Sequence, residues 1–157
     1  DLVMVGIMAK ELGSILKPHI RGGDEQFLAR VAIGTVKGDL HDIGKNLVST
    51  MLSSAGFEII DLGVDVPREK FVEVIQAENP RIVGFSCLLT VAIDAMKNTM
   101  DYLKQLGLRE KVAVLVGGRP ITLGFAREIG ADGYGADAVE AVDEARKMVA
   151  EGGRERN

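Results

Sequence analysis

The sequence predicts an α/β fold in which a parallel sheet is covered by helices on both faces. Two observations predict it. From residue 30 onward, short β-branched runs alternate with longer segments whose apolar residues recur at helical spacing. The short runs are apolar almost throughout, as strands are when helices bury both faces of a sheet. Five strands alternating with five helices imply parallel pairing and an open, doubly wound sheet. At 157 residues, the flavodoxin-like (Rossmann-like) strand order 2-1-3-4-5 is expected over a larger dinucleotide-binding sheet.

The elements follow in order. RVAIGTV (30–36) reads as the first strand. In residues 43–56, Ile43, Leu47, Val48, Met51 and Leu52 fall on one helical face, and Gly56 suits the stop. FEIIDLG (57–63) is the second strand. Pro67 fits the first turn of a helix that continues over 68–78. RIVGFS (81–86) is the third strand, followed by a helix over 90–107 that ends on Gly107. KVAVLVGG (111–118) is the fourth strand and 121–130 the fourth helix. Residues 131–135 hold a short fifth strand. The last helix covers 137–152, and GRERN is expected to fray.

Residues 1–29 break this alternation. They hold one apolar helix, or two short ones, interrupted near Pro18, with RGGDEQ (21–26) as a linker. Leu2, Val3, Val5, Ile7, Met8, Leu12, Ile15 and Leu16 are too many apolar residues for a free helix surface. A second copy of the chain or further protein is expected to cover them. The chain begins with Asp1 rather than Met, so upstream residues are expected. The α/β domain is assigned to 30–157.

Composition narrows the function. Hydrophobic residues make up 46 % of the chain, enough for a core, and the net charge of −4 is spread without a basic block that would suit a nucleic acid. The single cysteine, Cys87, excludes a disulfide framework and a Cys-rich zinc site, and fits a cytoplasmic protein. No apolar run reaches the ~18 residues of a membrane span.

In an open parallel sheet, ligands bind beyond the carboxyl ends of the strands, where the strand order reverses. The unusual residues fall there. KGDLHDIG follows the first strand, SCLL the third and GGRP the fourth. Several familiar sites do not fit. Five residues separate Gly38 from Gly44, whereas a P-loop needs four and then Ser or Thr after its Lys. No GxGxxG follows the first strand. Ser86 stands where a phospho-receiver would want an Asp. GFSCL lacks the second Gly of a nucleophile elbow. His41 remains as a metal ligand. It cannot hold zinc alone, but one protein ligand suffices when a macrocycle supplies the other donors. Asp39 then suits the partner that fixes the imidazole tautomer.

Asp39-Leu40-His41-Asp42-Ile43-Gly44 resembles the DxHxxG signature of cobalamin-binding domains, Ser86-Cys87-Leu88 resembles their SxL, and Gly117-Gly118 their GG. The resemblance covers about residues 30–150. It is greatest to the corrinoid carrier proteins of methylamine, methanol and methoxy-compound methyltransferase systems and to the cobalamin module of methionine synthase. It implies that His41 is the lower axial ligand of cobalt, displacing the benzimidazole of cobalamin, with Asp39 bonded to His41. Ser86, Leu88, Gly117 and Gly118 would line the slot for the displaced tail. Thr90 and residues 133–135, with Tyr134 and Gly135 among them, would touch the tail too, and Asp42, Ile43 and Gly44 would bind the cofactor. Residues 1–29 resemble the end of a helical cap.

The resemblance further implies a methyl carrier. Its partners would be a substrate-specific methyltransferase, a second methyltransferase with a folate, pterin or thiol acceptor, and a reductive activator. Pairing through the N-terminal helix is a further expectation. No self-contained catalytic constellation is visible, so no catalytic residue is assigned. Two departures stand out. Ala92 replaces the serine that continues the His–Asp relay in methionine synthase, and Arg119 replaces a small residue after the glycines.

Other readings of the same residues stay open at this point. The same motifs suit the cobalamin module of an adenosylcobalamin mutase or a cobalamin-dependent sensor. Asp39 and Asp42 are also candidate caps of the first helix, and Ser86 of a later one. Gly117-Gly118 also suits a tight turn. Cys87 reads as a small buried hydrophobe.

Overall fold

A computed structural model describes residues 26–155. The helical reading of the N-terminal segment, through residue 25, lies outside the described residues. Five strands form one parallel sheet: β1 (Arg30–Val36), β2 (Glu58–Val66), β3 (Ile82–Ser86), β4 (Ala113–Gly117) and β5 (Gly133–Gly135). Their order is β2-β1-β3-β4-β5, the flavodoxin-like order that the alternation predicts. The helices are α1 (Ile43–Ser54), α2 (Arg68–Glu78), α3 (Ile93–Gln105), α4 (Leu123–Ile129) and α5 (Ala138–Glu155).

The period-2 alternation of each strand divides its side chains between two cores. Val83, Phe85, Val114 and Val116 face the layer of α2, α3 and α4, where they meet Phe71, Ile75, Met96, Met100, Leu103, Ala126 and Ile129. Ile82 and Leu115 face the other way, onto Leu52 of α1 and Ala141, Val142, Ala145 and Met148 of α5. Phe71 and Phe85 meet edge to face with centroids 4.8 Å apart, a favourable quadrupolar arrangement. Truncating either ring to Ala would cost about 3–5 kcal/mol.

Register is what aligns the site. Thr35 pairs with Ser86, Ser86 with Gly117, and Gly117 with Gly135. These four small residues form one row across the carboxyl edge, so the loops after β1, β3 and β4 leave the sheet side by side.

Several boundaries differ from the expected ones. β2 runs to Val66, three residues past the expected end, because its β1 pairing shifts register twice and resumes at Gly34–Gly63 and Val36–Val66. α1 stops at Ser54, and Gly56 follows at φ 105. Residues Thr90–Ala92 make a 3-10 turn before α3, and Arg109–Lys111 make another that shortens β4. α4 begins at Leu123 because the Thr122 hydroxyl accepts the Phe125 N–H at 3.1 Å, a side-chain N-cap. α5 continues to Glu155, past the expected stop at 152. Arg81 lies against its end and donates to the Val149 carbonyl at 3.3 Å, and a Cβ at Gly152 would run into that guanidinium. Among the described residues no helix is long and apolar enough to cross a membrane.

Candidate functional site

Asp39 sits at the centre of the carboxyl edge, fully buried. The β1–α1 loop turns back on itself, with the Asp39 N–H donating to the Val36 carbonyl at 3.2 Å. That turn drives the carboxylate inward. Its Oδ1 accepts the His41 backbone N–H at 2.9 Å and lies 2.7 Å from His41 Nδ1. Its Oδ2 accepts the N–H groups of Leu88 at 2.6 Å and Leu89 at 2.8 Å. Burial alone would raise the Asp39 pKa. The hydrogen bonds from His41, Leu89 and Leu88 outweigh it and hold the carboxyl below its ordinary value. An ionised carboxylate only accepts, so the proton of that contact belongs to His41 Nδ1 and the free lone pair to Nε2.

The His41 side chain is 50 % exposed, and its carbonyl accepts the hydroxyl of buried Thr35 at 2.8 Å. The two loops that Asp39 joins also expose large apolar side chains. Leu40 is 71 % and Val91 84 % exposed, and Leu88 and Leu89 are exposed as well. Four large apolar side chains on two joined loops are what a ligand-binding surface presents to water. Among the described residues no group of three or more His, Cys, Asp or Glu side chains is placed to hold a metal. His41 is thus a single donor beside an apolar surface. That donor set fits a metal whose remaining ligands come with a flat, apolar macrocycle, and it does not fit a protein-caged ion.

The other predicted residues take varied places. Ser86 ends β3, half-buried, and caps no helix. Thr90 opens the exposed 3-10 turn. Ile43 and Gly44 start α1. Asp42 occupies the N-cap position of that helix but makes no side-chain cap bond. Its φ of −124° and ψ of −10° lie outside the extended region from which a capping side chain reaches the first-turn amides. Only its carbonyl is used, accepting from Asn46 at 2.7 Å. Tyr134 donates its hydroxyl to the Ile121 carbonyl at 3.0 Å.

Gly117 and Gly118 are required by the chain's own backbone. A Cβ on Gly117 would lie 2.9 Å from the Gly135 carbonyl oxygen. Gly118 has φ 127°, and a Cβ there would overlap the Cys87 carbonyl. Cys87 donates its thiol to the Leu89 carbonyl at 3.1 Å. Burial, with the Asp39 charge second, pushes its pKa up to about 11. It is a buried thiol and no nucleophile at neutral pH. Ala92 is buried and brings no hydroxyl toward Asp39.

Sequence reasoning missed Thr35, Lys45, Asp61 and Asp65. Buried Lys45 donates from Nζ to Asp61 Oδ1 at 2.7 Å and to Asn46 Oδ1 at 2.8 Å. A lysine inside the otherwise amphipathic α1 was the available signal, since a buried ammonium needs a partner.

A family model described as the B12 binding domain matches residues 29–143, the whole sheet and the three loops. The chain belongs to the B12-binding domain family. This B12-binding domain is 46 % identical over 149 residues to dimethylamine corrinoid protein 1 of Methanosarcina mazei, covering 94 % of this chain and 69 % of that protein. It superposes on a cobalamin-binding protein from Desulfitobacterium hafniense with TM-score 0.76 at 38 % identity, over 94 % of this chain and 69 % of that one. It also superposes on the methanol:cobalamin methyltransferase complex of Methanosarcina barkeri with TM-score 0.75 at 32 % identity, over 82 % of this chain and 49 % of that one. The domain therefore spans about two thirds of the dimethylamine relative's length.

Proposed function

We propose that this B12-binding domain holds cobalamin with His41 as the lower axial ligand and the benzimidazole tail detached, and that it serves as a methyl carrier. One observation carries the reading. An exposed imidazole is fixed through Nδ1 by a buried, ionised Asp39, which leaves the Nε2 lone pair for a metal. When bound, the cobalt corrinoid supplies the centre that takes up and gives up the methyl group. The chain supplies the rest. Asp39 sets the tautomer of His41. Thr35 holds the His41 carbonyl. Leu40, Leu88, Leu89 and Val91 offer apolar surface to the macrocycle. Ser86, Leu88, Thr90, Gly117, Gly118, Tyr134 and Gly135 are assigned to the tail, and Asp42, Ile43 and Gly44 to the cofactor.

The likeness to a dimethylamine corrinoid protein and to a methanol:cobalamin methyltransferase complex supports methyl transfer as the purpose. The partners would be a substrate-specific methyltransferase and a second one with a folate, pterin or thiol acceptor, served by a reductive activator. Residues 1–29 are assigned to the end of a helical cap, which suits a carrier whose cofactor needs protection between partners.

Two measurements test this. The visible spectrum of the oxidised, cobalamin-loaded protein should change in His41→Ala while binding persists; an identical spectrum removes His41 from the metal. The loaded full-length protein should take up isotopic label from a methylated substrate only when the matching methyltransferase is added. If no methyltransferase labels it, and adenosylcobalamin bound to it instead supports a radical rearrangement, the mutase reading replaces this one.

A further inference from the structure

β2 ends in Asp61-Leu62-Gly63-Val64-Asp65-Val66, a stretch to which the proposed function gives no role. Asp65 lies in the left-handed region, at φ 50°. A residue with a Cβ occupies that region only when something holds it there. Here two hydrogen bonds do. The Asp65 N–H donates to the Asp39 carbonyl at 2.9 Å. The Asp65 Oδ1 accepts the Gly38 N–H at 2.7 Å. Both bonds cross from the end of β2 to the turn that carries Asp39.

That turn has little tolerance. The Asp39 carboxylate meets four donors, at 2.6 to 2.9 Å, on two loops. Three of those donors are backbone N–H groups and cannot follow a moving side chain. The backbone of residues 38 and 39 must then be held from the opposite side, or the carboxylate gives up one contact to keep another. Asp65 supplies that hold. The strand end behind it is itself anchored, since Asp61 accepts from buried Lys45 of α1 at 2.7 Å and from the Gly63 N–H at 2.8 Å. β2 is an edge strand, and its pairing with β1 slips register twice between Asp61 and Val66. Without such ties the turn would be backed on the β2 side by an irregular ladder alone.

We infer that Asp65 is a positioning residue for His41, acting through the backbone of Gly38 and Asp39. This rests on the reading of His41 as the axial ligand. The side-chain hydrogen bond of Asp65 goes to the Gly38 N–H and not to His41. Its role is to set where Asp39 sits and thereby which tautomer and orientation His41 keeps.

The test uses two variants of the full-length protein. Asp65→Gly adopts φ 50° freely, so it keeps the backbone while removing the acceptor. Asp65→Asn tolerates the same conformation and keeps an acceptor oxygen. Nitrogen NMR of the cofactor-free protein at neutral pH reads the His41 tautomer. The visible spectrum of the cobalamin-loaded protein reads axial ligation. In Asp65→Gly the ratio of ligated to unligated His41 should fall by about 5- to 10-fold, the scale of one hydrogen bond, and the Nδ1–H tautomer should lose its dominance. Asp65→Asn should restore both. If Asp65→Gly keeps the wild-type tautomer and spectrum while His41→Ala changes the spectrum, the positioning role is overturned and axial ligation stands. If wild type and His41→Ala give one spectrum, both fall together.

Discussion

Asp39 Oδ2 accepts the N–H of Leu88 at 2.6 Å across 49 residues of sequence. This single contact joins the loop that carries His41 to the loop that ends β3. With the adjacent Leu89 bond it makes Asp39 a structural member of the domain as well as the partner of His41.

Removing that carboxylate therefore has a cost even without cofactor. Asp39→Asn keeps the shape but turns donors toward some of the buried N–H groups. Leaving one such group unsatisfied costs about 1–3 kcal/mol. Urea unfolding of the cofactor-free variant should show an unfolding free energy lowered by that amount, seen as a lower midpoint at unchanged slope. A midpoint equal to wild type would mean that Asp39 acts on His41 alone. In the loaded protein the same substitution should weaken axial ligation by roughly 10- to 100-fold.

The pH dependence follows from the same residue. The Asp39 pKa lies below its ordinary value of 3.8 in the folded state. A depressed carboxylate contributes stability that is present above the unfolded pKa and is lost as pH falls through the folded one. The stability gap between wild type and Asp39→Asn should thus be constant near neutrality and should shrink below about pH 4. Unfolding series at several pH values measure it, and a gap that widens in acid contradicts the assignment.

Cys87 gives the opposite sign. Its folded pKa of about 11 exceeds the ordinary 9.0. The stability it contributes is complete below pH 9 and lost as pH rises through about 11. At pH 8 the native thiol should resist iodoacetamide, while urea-unfolded protein reacts promptly. Mass spectrometry of the two samples decides it, and fast native alkylation would mean that the loop over Cys87 opens.

Gly118→Ala tests whether the glycine pair serves the fold itself. The added methyl meets the Cys87 carbonyl at a φ that disfavours any Cβ. The expected loss exceeds about 2 kcal/mol without any corrinoid present. A variant that unfolds like wild type yet loses cobalamin would assign Gly118 to the ligand alone.

Much of this was legible in the sequence. The alternation of apolar runs and helical patterns determined the sheet and its order, because a chain that buries strands on both faces has few ways to cross between them. The spacing of Asp39, His41, Ser86 and Gly117 pointed to the loops after β1, β3 and β4, and the register of the sheet brings those loops side by side. Tertiary structure alone decided how those residues are held. Asp42 has the composition of a cap but the wrong backbone angles to act as one. Leu88 and Leu89 hold Asp39 through N–H groups that every residue but proline possesses, so no side chain announces them. Asp65 reaches Gly38 across the ends of β1 and β2, where their pairing slips register. The periodicity of side chains is written in the sequence. The partners of backbone hydrogen bonds depend on register and loop geometry, which exist only once the sheet has formed.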